Sequence, residues 1–324
     1  MQTLIDFDDA AVFAIPVIGS VAGVGMREGM LLEGPQGWGE FSPSADCDDR
    51  EAARWLTAAI EAGTVGWPDP VRGRVPIAVA VPAVDPARAY EIAANAGCRT
   101  AEVTVADHQD SLANDIARVE AVRGALGPDG AIRCAANGMW DVDAAVPAIT
   151  ALEKAAGGIQ YVEQPCRTFE DLAAVRRRVD VPIATNVPVH PDDPPRAPLT
   201  GAADVAVLRC GPLGGVRRAL MVAEACGLPC VVASALETSI GLSAGLALAG
   251  ALPELRFACG LGTRSLLAGD IVAEARTLIP VDGYLPVAPM PPAPDPDRVE
   301  HYAVSNEYRI AWWRERLRTA RAIR

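Results

Sequence analysis

Three residues of this chain stand where short β-branched runs end, and their types suit proton chemistry on a bound small molecule. Glu102 lies in Ala101-Glu-Val-Thr-Val105, Glu163 in Tyr161-Val-Glu-Gln-Pro165, and Arg209 in Val207-Leu-Arg-Cys-Gly-Pro-Leu-Gly-Gly215. Glu163 as the acid, Glu102 as a second carboxylate and Arg209 as a fixed cation can together bind and protonate a polarised substrate. The same run ends and the loops after them offer Thr104, Asn137, Met139, Thr185, Asn186, Ser234, Glu237, Thr238 and Gly260 as substrate-binding positions. His190, in the Pro-rich stretch 187–198, could act as an acid or base; His108 and His301 are the other histidines. Of 29 basic residues only Lys154 is a lysine, so a mechanism needing two or three active-site lysines is excluded.

The eight cysteines are scattered singly, with no Cys-x-x-Cys pair. Most lie in apolar stretches, where a thiol behaves as a small hydrophobe. They read as reduced core thiols of a cytoplasmic protein. Cys226 and Cys230 straddle a helix-to-strand turn without further ligands nearby, so no metal site is expected there.

The elements that must position these groups are legible from about residue 75 onward. Short β-branched runs recur at intervals of roughly 22 to 30 residues, alternating with Ala- and Leu-rich amphipathic segments. The runs are Ile77–Val81, Ala101–Val105, Ala131–Cys134, Ile159–Glu163, Pro182–Thr185, Val205–Leu208, Cys230–Ala233 and Phe257–Cys259. Intervening segments such as Ser111–Leu126, Val142–Ala155, Phe169–Val179 and Gly215–Cys226 predict helices. Eight such units fit a (β/α)8 barrel better than an open sheet, and a barrel places its chemistry where strands end and βα loops begin. No GxGxxG follows the first run, which removes the best argument for a dinucleotide fold.

Ahead of the barrel, Gly25–Leu32 and Gly37–Phe41 read as a hairpin turned at Gly34-Pro35, and Arg50–Ala62 as a helix with Trp55 on its apolar side. After it, Val287–Pro296 reads as a connector, and Glu307–Arg324 as a basic helix whose Trp312 and Trp313 pack on the cap. The expected division is a capping domain at 1–72, a barrel at 73–275 and a segment completing the cap at 276–324. A net charge of −12 disfavours nucleic acid and anionic membrane as partners, since both need a basic footprint. No apolar run approaches the length of a membrane span, and residues 1–9 carry acids but no Lys or Arg, unlike a secretory signal. A cytoplasmic protein with a small-molecule partner is expected.

The ordered strand ends resemble the o-succinylbenzoate synthases of the enolase superfamily, particularly those of high-GC bacteria. Besides the three quoted above they include Arg133-Cys-Ala-Ala-Asn-Gly138, Pro182-Ile-Ala-Thr-Asn186, Ser234-Ala-Leu-Glu-Thr-Ser239 and Cys259-Gly-Leu-Gly-Thr263. Arg27-Glu-Gly29 and Gly37-Trp-Gly-Glu-Phe-Ser-Pro43 resemble that family's cap, so the likeness covers nearly the whole chain. The resemblance implies a barrel capped by both chain ends. It also implies an ancestral device in which Mg²⁺ on three acidic residues stabilises an enediolate formed by a lysine base. This chain departs from that pattern. The family's Lys-x-Lys positions are Glu102 and Thr104, its metal-ligand positions are Ala135, Glu163 and Thr185, Asn186 replaces an acidic neighbour, and Arg209 replaces the opposing lysine. The expectation is therefore no cofactor and no o-succinylbenzoate synthase activity. Two readings stand: a metal-independent cyclase, isomerase or dehydratase acting on a hydrophobic small molecule, or a non-catalytic protein binding a ligand or partner through the old pocket. In the second, Glu102 and Arg209 would form an ion pair filling the hole left by the lysines, with Glu163 held by Arg209 or by backbone.

Overall fold

A strand buried on both faces reads as a short β-branched run, and eight such runs here line up as one parallel sheet. The computed structural model describes residues 5, 7, 10–21, 23–187 and 199–324. The barrel strands are β4 (Arg74–Val81), β5 (Thr100–Thr104), β6 (Ala131–Ala135), β7 (Val162–Glu163), β8 (Ile183–Asn186), β9 (Val205–Leu208), β10 (Cys230–Val232) and β11 (Cys259–Gly262). They pair in chain order, β11 pairs with β4, and a parallel bridge from Ala233 to Gly260 closes the ring. Between strands run α2 (Pro86–Asn95), α3 (Leu112–Leu126), α4 (Val142–Ala156), α5 (Phe169–Arg176), α6 (Cys210–Leu213), α7 (Val216–Cys226) and α8 (Ser239–Ala251). The strand ends differ from the sequence expectation by a few residues: β7 keeps only Val162 and Glu163 of Ile159–Glu163, and β11 shares only Cys259 with the expected Phe257–Cys259.

Side chains alternate across each strand. Outward residues such as Ile132, Cys134, Val162, Ile183 and Leu208 join the helices in the main apolar core. Inward residues Tyr161, Ala184, Val205, Val207, Val231 and Ala233 pack in the barrel's interior. The same parity turns Glu102, Arg133, Glu163 and Arg209 inward, so the barrel throat is charged where such barrels are ordinarily aliphatic.

The cap is an antiparallel sheet of β1 (Val12–Val21), β2 (Val24–Gly34) and β3 (Gly37–Phe41), with Gly34 opposite Gly37 at the expected hairpin turn. Helix α1 (Asp49–Thr64) starts at Asp48, whose carboxylate accepts from Glu51 N at 2.7 Å. Its apolar face (Ala52, Trp55, Leu56, Ala59) packs on Met30, Leu32 and Phe41, and on Trp313 and Leu317 of the C-terminal helix. The chain reaches that helix through β12 (Tyr284–Pro286), which pairs antiparallel with β4, then α9 (Pro296–His301) and α10 (Glu307–Ile323). Trp313 is buried against the edge of Phe41, as expected, and its indole N–H donates to Glu28 at 2.8 Å. No helix among the described residues is long and apolar enough to cross a membrane.

Cap and barrel meet where α1 crosses α6. A Cβ at Gly211 would sit 2.5 Å from Cζ3 of Trp55, so only glycine lets the two helices touch. Gly211→Ala should therefore lower stability by about 1–2 kcal/mol in urea unfolding, because overpacking outweighs the gain of about 1 kcal/mol that alanine brings to a helix. An unchanged or higher midpoint would show that Trp55 does not lie flush on α6.

Candidate functional site

Inward parity on three strands brings Glu102, Glu163 and Arg209 to one cavity of about 540 Å³ at the C-terminal ends of the strands. Its polar lining includes Thr104, Asn137, Asn186, Ser234 and Thr263; Pro82, Val187, Val207, Leu213, Leu236 and Leu266 supply apolar wall, and Glu51 and Arg54 reach in from α1. The site is an open pocket and not a plug.

The ion pairs within it differ from the expected Glu102–Arg209 pair. Arg209 Nη2 donates to Glu163 Oε1 at 2.7 Å, and its Nε to the Ser234 carbonyl at 3.0 Å. Glu102 instead faces Arg133, its direct register partner on the neighbouring strand. The Arg133 Nε lies 2.9 Å from Glu102 Oε2, but the N–H does not point along that contact, so the attraction is coulombic and neither atom is hydrogen-bonded. Arg133 is fully buried, with Nη1 donating to the Ala258 carbonyl at 2.7 Å and its guanidinium 5.2 Å from the Tyr161 ring centroid. Sequence reasoning missed Arg133, although its position two residues before the inward Ala135 gives it the same parity. With Arg133 counted, the formal charge of the four groups is balanced.

Burial raises the Glu102 carboxyl above the ordinary range, outweighing the pull of Arg133; the nearby Glu163 adds to the rise, and Arg209 opposes it. Glu163 is 3 % exposed and its Oε2 has no hydrogen-bond partner among the described residues, nor has Oδ1 of Asn186. Both residues line the cavity, and both atoms can accept a hydrogen bond from a ligand.

The other expected binding positions divide. Thr104, Asn137, Asn186 and Ser234 line the cavity; Asn137 does so from a left-handed backbone, φ 52°. Thr185 does not: it is buried, and its hydroxyl donates to Gln164 Oε1 at 3.1 Å. Met139 is 52 % exposed, outside the lining. Gly260 is buried behind Glu102, where a Cβ would sit 3.2 Å from Oε2. His190 lies outside the described residues.

Glu237 and Thr238 serve the protein itself. Glu237 Oε2 accepts from Ser234 Oγ at 2.6 Å and Ala235 N at 2.8 Å. The start of α8 is occupied by the chain's own anions: Glu40 accepts from Thr238 N at 3.1 Å, Thr238 Oγ1 at 2.5 Å and Gly241 N at 3.0 Å, and Asp270 accepts from Ser239 Oγ at 2.5 Å. A helix N-terminus attracts anions, and here two carboxylates fill that role. Arg27 reaches Glu40 through Ser42, at 2.6 Å on each side.

Ala135 and Glu163 end β6 and β7, and Thr185 lies next to the last residue of β8. Among the described residues no group of three or more His, Cys, Asp or Glu is placed to hold a metal ion.

A barrel with its site at the strand ends, capped by a three-stranded sheet and a helix, is the architecture of the enolase class. Residues 12–63 match the enolase N-terminal domain-like family and residues 85–294 the enolase C-terminal domain-like family. The chain belongs to the enolase superfamily, among the proteins that resemble o-succinylbenzoate synthase. It is 52 % identical to the o-succinylbenzoate synthase of Thermobifida fusca over 311 residues, covering 96 % of this chain and 95 % of the relative. Identity to that of Mycolicibacterium smegmatis is 47 % over 314 residues, covering 96 % and 95 %. In fold it is similar to the muconate lactonizing enzyme of Pseudomonas fluorescens (TM-score 0.76, 20 % identity, 94 % of this chain and all of that one). It is likewise similar to the L-Ala-D/L-Glu epimerase of Bacillus subtilis (TM-score 0.73, 22 % identity, 90 % and 98 %).

The raised Glu102 carboxyl sets a pH dependence. A carboxyl that holds its proton more tightly folded than unfolded contributes stability fully present below the unfolded value, and lost as pH rises through the folded one. Glu102→Gln keeps the neutral form at every pH. Its melting temperature relative to the parent chain should therefore rise with pH between about pH 4 and 8. A difference independent of pH would place Glu102 in the ordinary carboxylate range.

Proposed function

We propose that this protein binds a small, largely apolar molecule carrying an oxygen anion and acts on it by metal-independent acid–base chemistry: a cyclisation, isomerisation or dehydration. The observation that carries the reading is a roomy cavity into which a burial-raised carboxyl, Glu102, and a guanidinium, Arg209, both face. When Glu102 holds its proton, Arg133 and Arg209 outweigh Glu163 by one charge, and an anionic ligand restores the balance that an ionised Glu102 otherwise provides. Arg209 spends Nε and Nη2 on the protein, and Nη1 has no protein partner among the described residues, leaving it for a substrate oxygen. Glu102 is the proton donor in this reading, in place of Glu163 as the sequence suggested, because Glu163 is engaged by Arg209; Glu163 orients Arg209 and accepts a hydrogen bond from the ligand.

The residues present do not fit the family's Mg²⁺. That ion takes hard oxygen donors in near-octahedral geometry. Ala135 offers none, the Thr185 hydroxyl is turned to Gln164, and Glu163 is already held by a guanidinium whose charge repels a cation. No lysine stands at the site, and arginine stays protonated at any working pH. Titration calorimetry with Mg²⁺ and Mn²⁺ should show no saturable heat, and o-succinylbenzoate should not form from its cyclohexadiene precursor above an empty-vector preparation. A one-site isotherm, or that product, would return the chain to the activity its relatives are named for.

The Glu163–Arg209 pair, closed upon itself, favours a second reading in which the pocket binds a ligand without turning it over. A thermal-shift screen of small apolar carboxylates, followed by assay of the ligands found, separates the two. If the enzyme reading holds, Glu102→Gln should lower kcat by roughly 10²-fold or more with little change in KM. If no bound ligand is converted, yet Arg209→Met abolishes its binding, the second reading stands.

A further inference from the structure

At the opposite end of the barrel from this pocket, two thiols are brought together by one turn. Helix α7 ends at Cys226, Gly227 reverses the chain from a left-handed backbone (φ 67°), and β10 begins at Cys230. The two Sγ atoms lie 3.5 Å apart within a hydrogen bond. Each also approaches the Leu228 carbonyl, Cys230 at 3.4 Å and Cys226 at 3.8 Å. The hydrogen bond between them lowers the Cys226 thiol and raises the Cys230 thiol, so once one proton is lost the other is held between the two sulfurs. The remaining cysteines are unlike this pair: burial pushes Cys166 up to about 11 and Cys259 up to about 12. Cys134 and Cys210 are raised by burial as well.

Cys230 is also within reach of solvent. It lines a groove of about 860 Å³ between the C-terminal ends of α7 and α8, walled by Leu220, Met221, Leu228, Leu252 and Pro253. A thiol with an adjacent proton acceptor, opening on an apolar groove, has what thiol–disulfide exchange needs: thiolate character, access and a resolving partner.

We propose that Cys226 and Cys230 form a reversible dithiol–disulfide site that reacts with small-molecule disulfides. Cys230 passes its proton to Cys226 and attacks one sulfur of the incoming disulfide; the S–S bond breaks and the first half leaves as a thiolate. Cys226 then gives up its proton and attacks Cys230 Sγ in the mixed disulfide, releasing the second half. The pair starts as the Cys226 thiolate and the Cys230 thiol, so its one proton and a second taken from water end on the two released thiols, and the two electrons lost by the cysteines reduce the small molecule. Cys230 is the entry thiol and Cys226 the resolving one.

The test is to treat the reduced, full-length folded chain with 2-hydroxyethyl disulfide and follow intact mass and peptide maps. The parent chain should lose two hydrogens, keep no adduct, and yield a 226–230 cross-link that dithiothreitol reverses. Cys226→Ser should instead hold one mercaptoethanol adduct at Cys230, and Cys230→Ser should react at least about tenfold more slowly at Cys226. Running all chains in a Cys47→Ser background removes the other half-buried thiol, which contacts Arg316. A stable adduct on the parent chain without the cross-link, a link to a different cysteine, or no reaction where the denatured chain reacts would each overturn the proposal.

Discussion

A guanidinium sealed inside a barrel must have its charge answered there, and Arg133 sets that constraint for the whole throat. Breaking a buried pair by removing one partner costs about 3–5 kcal/mol, because the charge left behind has neither water nor counter-ion. Arg133 has no exposed surface, and its answers come from Glu102, the face of Tyr161 and the Ala258 carbonyl. Glu102 is thereby held at the lower rim of the pocket. Its second neighbour in charge, Glu163, is engaged by Arg209, so the two pairs share one low-dielectric space. The geometry of the cavity follows from how these four groups compensate one another.

That arrangement is tied to the cap by a second buried network. Glu40, raised by burial against the pull of Arg27, sits on the first N–H groups of α8. The same helix start continues into Glu237 and Ser234, and the Ser234 carbonyl holds Arg209 Nε. A carboxylate from the N-terminal sheet thus fixes the loop that fixes the guanidinium. Docking of the cap and orientation of Arg209 are one structural event, and Trp55 against Gly211 places it a few residues from the site.

Much of this was legible in the sequence, and the exceptions have physical reasons. The barrel could be read because strands buried on both faces announce themselves as β-branched runs and their helices as amphipathic spacers. Glu102, Glu163 and Arg209 could be placed because each sits at an inward position near the end of such a run. Arg133 was hidden by its surroundings: between Ile132 and Cys134 a single arginine looks like an interruption of an apolar strand, and only the parity shared with Ala135 marks it as inward. Glu237 and Thr238 looked like ligand groups because a helix start attracts anions. That the anions were Glu40, 198 residues from Thr238, and Asp270, 31 residues from Ser239, depends on tertiary contacts that no local pattern encodes. Thr185 was assigned to the site by its place in the motif, whereas its hydroxyl is bound to Gln164.

The protonation states available in the throat narrow what chemistry the proposed enzyme could perform. Arg133 and Arg209 remain cations across the working range, and no lysine is present to alternate between base and acid. Only the carboxyls can change state. Burial favours the neutral form of Glu102, so it is better disposed to give a proton than to take one. Removing a proton beside a carboxylate would require an ionised base together with a strong electrophile for the developing dianion. A single guanidinium shared with Glu163 is a weak substitute for that electrophile. Protonation of a polarised carbon or of a departing oxygen asks for the opposite arrangement, a neutral acid facing a bound anion that a fixed cation holds in place. In the proposed reading Glu102 supplies that acid and Arg209 that cation, which favours protonation-initiated cyclisation or dehydration over abstraction.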